Sequence, residues 1–234
     1  MMGIIKMLED VLSPIDLRNE ADAVQWANEV NVKRPWRYEI FDDYVAEISQ
    51  HAPNARILEL GSGPGYLASH VLKHCPNIQY TAFDFSDAMH TLAKNRLSAS
   101  ELNRIQFITG DFKKQRWENI LLNNLSQSQH KDVNVNIQTA EELQNRFDII
   151  IIHQALHELR HKCHVHKFHH TIRSLMHKQS IYFVCDHIFA PDAMQNNDLY
   201  MSIDEHEEAL KHAGFQNIAF IKNLKGLALF RVQR

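Results

Sequence analysis

Three of the chain's seven glycines fall together, at Gly61, Gly63 and Gly65. They lie in Ile57-Leu-Glu-Leu-Gly-Ser-Gly-Pro-Gly65, where an apolar run gives way to Tyr66-Leu-Ala68 and a helical pattern. Glycines at such a junction let the backbone turn sharply and let a ligand approach it, while the helix start behind them offers free N–H groups. Two acids follow at the ends of later apolar runs, Asp84 and Asp111. In a doubly wound sheet these positions converge with the glycine turn at the carboxyl ends of the strands. There Asp84 can accept both hydroxyls of a ribose, and Asp111 can bond the exocyclic amine of an adenine. A second group of reactive side chains lies in His153-Gln-Ala-Leu-His157-Glu158-Leu-Arg-His161. Histidine titrates near neutral pH and serves as a general base or a metal ligand.

Both groups admit competing chemistry. Gly63-Pro-Gly-Tyr-Leu-Ala68 also fits a dinucleotide fingerprint, which raises a nicotinamide dehydrogenase. A short-chain dehydrogenase would want Tyr-x-x-x-Lys, but Tyr182 is followed four residues on by Asp186 and Tyr200 by Asp204. His157-Glu158-Leu-Arg-His161 spells H-E-x-x-H, which on a helix places two imidazoles on one face beside a carboxylate, as a zinc hydrolase requires. No H-x-x-G-x-x-H extension follows, and the next glutamate downstream is Glu205.

The elements that position these residues alternate. Runs rich in β-branched and aromatic residues at 56–60, 78–84, 104–109, 147–153 and 180–186 are predicted strands, separated by helices. The runs at 149–152 and 181–184 are almost wholly apolar, as strands covered on both faces must be. The pattern predicts βαβ units and a parallel sheet. Ser202 and Glu205 form a candidate capping box for a helix that Gly214 closes. Strands at 215–221 and 227–232, joined by a turn at 223–226, then predict an antiparallel hairpin at one sheet edge. Residues 1–52 read as helical, with Pro35 opening the second helix. The Asn/Gln-rich stretch at 123–138 reads as part of a mobile surface insertion over about 121–146.

Composition sets the frame. The 234 residues are 44% hydrophobic and 23% charged, with a net charge of −3. This is globular composition, and it lacks the basic excess of a nucleic-acid binder. Cys75, Cys163 and Cys185 are odd in number and widely spaced, which favours a reducing compartment. With no signal sequence and no long apolar run, the expected setting is cytoplasmic, without membrane contact.

The chain resembles the class I S-adenosylmethionine-dependent methyltransferases. The resemblance rests on Glu59-Leu-Gly-Ser-Gly-Pro-Gly65, Phe83-Asp-Phe-Ser86, Gly110-Asp-Phe112, Phe147-Asp-Ile-Ile-Ile-Ile-His153 and the Ala213-Gly-Phe215 corner. It covers about residues 53–234 and implies an α/β, doubly wound, Rossmann-like sheet of seven strands with the last strand antiparallel. Residues 1–52 take the place of the helical substrate lid. It implies S-adenosylmethionine as cofactor, with Gly61, Gly63 and Gly65 along its methionine part, Asp84 on the ribose, and Asp111 and Phe112 at the adenine. Glu59, Ser62 and Phe85 flank these positions and are counted with them, as is His153 at a strand tip. Leu156-His157-Glu158-Leu159 resembles the Leu-His-Asp-Trp segment of small-molecule O-methyltransferases, in which the histidine is the general base. A pocket-shaping or helix-capping role for His157 is the alternative. The base-methylating branches carry Asn/Asp-Pro-Pro-Tyr where this chain has His153-Gln-Ala-Leu, so a small-molecule acceptor with a hydroxyl or amine is expected. Trp36, Asp186, His187 and Tyr200 are candidate acceptor contacts, and Arg37 can pair the cofactor's carboxylate. The other histidines, His161, His164, His166, His169, His170 and His177, are expected on a solvated helical face, and no metal is assigned. A zinc hydrolase and a non-catalytic adenosylmethionine-binding protein are the alternatives, and the oligomeric state is open.

Overall fold

The computed structural model describes residues 9–129 and 147–234. The sheet has seven strands: β1 (Arg56–Leu60), β2 (Gln79–Asp84), β3 (Ile105–Thr109), β4 (Phe147–His153), β5 (Met176–His187), β6 (Asn217–Leu224) and β7 (Leu227–Gln233). Their order is β3-β2-β1-β4-β5-β7-β6. The first five pair in parallel, and β7 pairs antiparallel with both β5 and β6. The predicted hairpin is therefore present, with its second strand inserted beside β5. The order reverses between β1 and β4, which opens a crevice at their carboxyl ends.

The apolar runs become strands because both faces of the sheet are covered. Along β4, Ile149 and Ile151 join one core, with Ile40, Phe41, Tyr44 and Ile48 of α2 (Tyr38–His51) and Leu67, Val71 and Leu72 of α3 (Tyr66–His74). Ile150 and Ile152 join the opposite core, with Phe168 and Ile172 of the Val165–Ser174 helix and Leu210 of the Ile203–His212 helix. Burial on alternate sides leaves no polar position between Ile149 and Ile152. Helix α2 is thus a layer of the sheet's own core. Upstream of it stand α1 (Glu20–Lys33), capped by the Asn19 side chain, and a 3-10 turn, Pro35–Arg37, where the proline opens the way into α2. Ser202 and Glu205 form the expected capping box.

Several boundaries move. Strand β5 starts at Met176 rather than 180, because Met176 pairs with Phe147 ahead of a register shift. The polar His177-Lys-Gln run between them hides this start. A helix, Glu118–Gln129, occupies the first part of the expected insertion, anchored where Trp117 and Leu121 enter the core. Residues 130–146, with the rest of the Asn/Gln-rich stretch, lie outside the described residues.

Gly65 caps α3 in the left-handed region, at φ +76°. A β-carbon there would sit 2.8 Å from Cβ of Ala93, which belongs to the Asp87–Arg96 helix. Gly65→Ala should therefore destabilise the fold by about 1–3 kcal/mol, the cost of a strained left-handed residue with a clash added. Urea denaturation of the two proteins checks this; equal stability would contradict it.

Candidate functional site

A half-enclosed cavity lies at the carboxyl ends of β1, β2, β4 and β5. Its wall includes Gly61 and Gly63 from the turn after β1, Asp84 and Phe85 after β2, Phe112 after β3, and Gln154, Ala155, His157 and Glu158 after β4. His187 at the end of β5 and Tyr200 complete the far side. Gly61, Gly63, Asp84, Phe85, Phe112, His157, His187 and Tyr200, all singled out from the sequence, thus meet at one place.

Asp84 is almost fully buried. Its Oδ2 accepts the Gly63 N–H at 2.7 Å and its Oδ1 the Ser86 N–H at 2.9 Å. Burial still raises its pKa to about 6 against those two bonds. A buried carboxylate whose ionised form is held back in this way gains from further hydroxyl donors. Gly63 lines the cavity, and a β-carbon built on it would meet nothing within 4 Å. Its open side faces free space.

The loop after β4 is held in an unusual shape. Gln154 has φ +54°, donates its N–H to the Cys185 carbonyl at 2.7 Å, and turns the chain away from the sheet. Backbone of this kind persists only where its surroundings enforce it. Further along, the loop is pinned by Asp186, at 2% exposure. It accepts the His157 backbone N–H at 2.6 Å, the His157 ring Nδ1–H at 2.7 Å and the His187 N–H at 2.8 Å. Glu158 stands 3.4 Å from His157 Nε2. Burial alone disfavours a charged His157, but the two carboxylates outweigh it and hold its pKa above the ordinary value. Burial likewise works to raise Asp186, and the imidazolium beside it brings it down to about 2. His187 is pushed down to about 3 by burial, against the pull of Asp186, and is neutral at physiological pH.

Other sequence candidates lie off the cavity wall. Arg37 is buried, gives a short bond to Asn31 Oδ1 and sits 4.7 Å over the Tyr66 ring. Burial lowers its pKa to about 10. Trp36 packs against the α2–α3 core, with Lys225 over its ring. Glu59 is buried beneath the turn, accepts the Tyr80 hydroxyl at 2.8 Å and is raised by burial to about 8. Ser62 is buried, and its Oγ has no partner among the described residues. His153 bonds the Tyr44 hydroxyl at 3.0 Å and is lowered to about 3 by burial. Asp111 faces Arg18, which also lies over the Phe85 ring.

The sequence reading missed what the N-terminal segment contributes. Ile15, Leu17, Trp26 and Arg34 line the cavity, together with Met89 and Met194. The segment at 9–19 crosses the mouth. Arg160 bonds the Val11 and Leu12 carbonyls on one side, and Ser86 Oγ bonds the Leu17 carbonyl on the other. The only available signal was Trp26, an aromatic on the cavity side of α1.

The zinc-hydrolase geometry is not formed. Leu156–Leu159 is a 3-10 turn ended by Arg160 at φ +67°, so His157 and His161 share no helical face. His157 Nδ1 is bonded to Asp186, and His161 Nδ1 accepts the Cys163 N–H. Among the described residues no group of three or more His, Cys, Asp or Glu is placed to hold a metal ion. The expected solvated histidine face also needs correction. His169 is fully buried against the Tyr182 hydroxyl, and His161 is buried as well.

Comparison with known proteins agrees with this architecture. A family model described as a methyltransferase domain matches residues 51–224. Malonyl-[acyl-carrier protein] O-methyltransferase of Bacillus cytotoxicus is 34% identical over 80 residues, which is 34% of this chain and 28% of that protein. Human N-acetylserotonin methyltransferase, solved in complex with S-adenosylmethionine, superposes with a TM-score of 0.64 at 15% identity, over 93% of this chain and 57% of that one. A putative O-methyltransferase from Nostoc punctiforme gives 0.65 at 16%, over 96% and 62%. The chain therefore spans less than two thirds of each of these relatives, and at such identities the two structures speak for the fold. With the family model covering most of the sequence and the sheet order matching, the chain belongs to the methyltransferase domain family, in its class I, S-adenosylmethionine-dependent form.

Proposed function

We propose that this chain transfers a methyl group from S-adenosylmethionine to an oxygen or nitrogen of a small-molecule acceptor, with His157 taking the proton the acceptor loses. The observation that carries the reading is the His157–Asp186 contact, with His157 in the same cavity wall as Gly63 and Asp84.

The residues present fit the cofactor. Gly63 leaves open space where a side chain would intrude, and Asp84 offers a buried carboxylate to ribose hydroxyls. Phe85, Met89 and Phe112 give an apolar seat for an adenine. Gln154 Oε1, buried and without a partner among the described residues, is a further polar group of that wall. The bound cofactor supplies a methyl group already activated by its sulfonium. Alignment of acceptor and donor then accounts for most of the rate. His157 adds proton transfer. Asp186 takes Nδ1–H and orients the ring; the cation that Asp186 and Glu158 favour gives up its Nε2 proton to solvent as pH rises, and Nε2 then accepts the acceptor's proton. Glu158 beside Nε2 stabilises the cation that forms.

The N-terminal segment, residues 1–52, serves in this reading as a cap over the acceptor, because Ile15, Leu17, Trp26 and Arg34 close one side of the cavity. Arg37, buried, and Trp36, half-buried against the α2–α3 core, act through packing rather than contact. The net charge of −3 favours a small acceptor over nucleic acid. The cysteines are free, and no described helix is long and apolar enough to cross a membrane, which supports a cytoplasmic setting.

Asp84→Ala should weaken S-adenosylhomocysteine binding by ~1.5–3 kcal/mol, the worth of hydrogen bonds to a charged acceptor. Calorimetric titration of both proteins measures it, and unchanged affinity would remove Asp84 from the ribose. His157→Gln should keep cofactor affinity, slow transfer to a hydroxyl acceptor and flatten the acidic limb of the pH–rate profile. The same residue gives a stability signature. Because its pKa is raised in the folded state, its pairing stabilises fully below the ordinary value of about 6.5 and fades as pH rises through the folded value. Urea midpoints should therefore fall with pH above neutrality more steeply for the natural protein than for His157→Gln. Parallel slopes would contradict the raised pKa.

A further inference from the structure

One cation on the cavity wall has no side-chain partner among the described residues. Arg34 follows the last turn of α1, and its backbone N–H is used by the Val30 carbonyl. The residue is half-buried, and its side chain has no hydrogen-bond or ion-pair partner among the described residues. The neighbouring charges are matched. His157 is held between Asp186 and Glu158. Arg160 bonds Glu158 and the Val11 and Leu12 carbonyls. Asp84 is answered by two backbone N–H groups. A guanidinium remains charged at physiological pH and presents a planar fork of donors. On the cavity wall that fork is answered by water alone, and a carboxylate entering the cavity can displace that water and take a bidentate bond.

Its place assigns the side of the cavity. Arg34 and Tyr200 lie within each other's electrostatic reach, and the charge of Arg34 also bears on His187. These belong to the wall around His157, not to the glycine turn and Asp84. We propose, resting on the methyl-transfer reading above, that Arg34 anchors a carboxylate of the acceptor. The acceptor is then an organic acid. Its apolar body lies among Trp26, Met194 and Tyr200, and its nucleophilic oxygen or nitrogen is presented to His157. A carboxylate suits the site better than a phosphate dianion, because Glu158 and Asp186 stand close by and a second negative charge would meet them.

The test is calorimetry on the full chain saturated with S-adenosylhomocysteine, titrated with matched acids and amides: benzoate against benzamide, and hexanoate against hexanamide. Arg34→Met keeps the apolar stem and removes the fork. At least one acid should bind about tenfold tighter than its amide, and the difference should vanish in Arg34→Met, while S-adenosylhomocysteine affinity stays the same. Equal affinity for acid and amide, no binding of either acid, or an acid preference that survives in Arg34→Met would overturn the proposal. Weaker S-adenosylhomocysteine binding by Arg34→Met would place Arg34 on the cofactor's own carboxylate, overturning the proposal while leaving methyl transfer intact. Failure of the natural protein to bind S-adenosylhomocysteine would instead strike the underlying reading.

Discussion

A carboxylate taken out of water must find donors, and Asp186 finds three. Two belong to His157 and one to its own neighbour His187. Removing either partner from such a pair would leave an uncompensated buried charge, typically a loss of several kcal/mol. The pair therefore ties the loop after β4 to the end of β5, across the strand pair that borders the crevice. The tie sets the direction of the His157 ring and holds the 3-10 turn that carries it, between the left-handed residues Gln154 and Arg160.

The same tie couples the two halves of the cavity. On one side, β1 and β2 end in a glycine turn and a buried acid. On the other, β4 and β5 end in an imidazole and its carboxylate. The sheet order brings these ends together because the strands run outward in both directions from the β1–β4 pair. The N-terminal segment then closes the gap, held by Arg160 and Ser86 through backbone carbonyls. Carbonyl bonds of this kind depend on chain path more than on residue identity.

That difference explains what the sequence made legible. Strands β1 and β4 are readable to the residue, because burial on both faces demands mainly apolar residues, with Glu59 and Asp148 as interior exceptions. The glycine turn, Asp84, Phe85, Phe112, His157, His187 and Tyr200 are readable because strand ends converge in a doubly wound sheet. The H-E-x-x-H spelling misleads because it presumes a helix. Asp186 captures the His157 backbone N–H and forces a tight turn instead. Arg37 and Trp36 misdirect in another way. The pattern places an arginine beside aromatics at the start of a helix, but only packing decides which arginine faces inward. Asn31 and Tyr66 take Arg37, and Arg34 is left on the cavity. His169 and His161 were expected in solvent because their neighbours are polar. The Tyr182 hydroxyl and the Cys163 N–H supply partners that no local pattern announces.

The central claim is that one crevice holds the methyl donor with the His157–Asp186 pair facing it. A crystal structure of the chain with S-adenosylhomocysteine tests this most directly. The account predicts the ribose hydroxyls on Asp84, the adenine against Phe85 and Phe112, and the sulfur turned toward a space that His157 Nε2 borders. A ligand bound away from Asp84, or one whose sulfur faces away from His157, would contradict it.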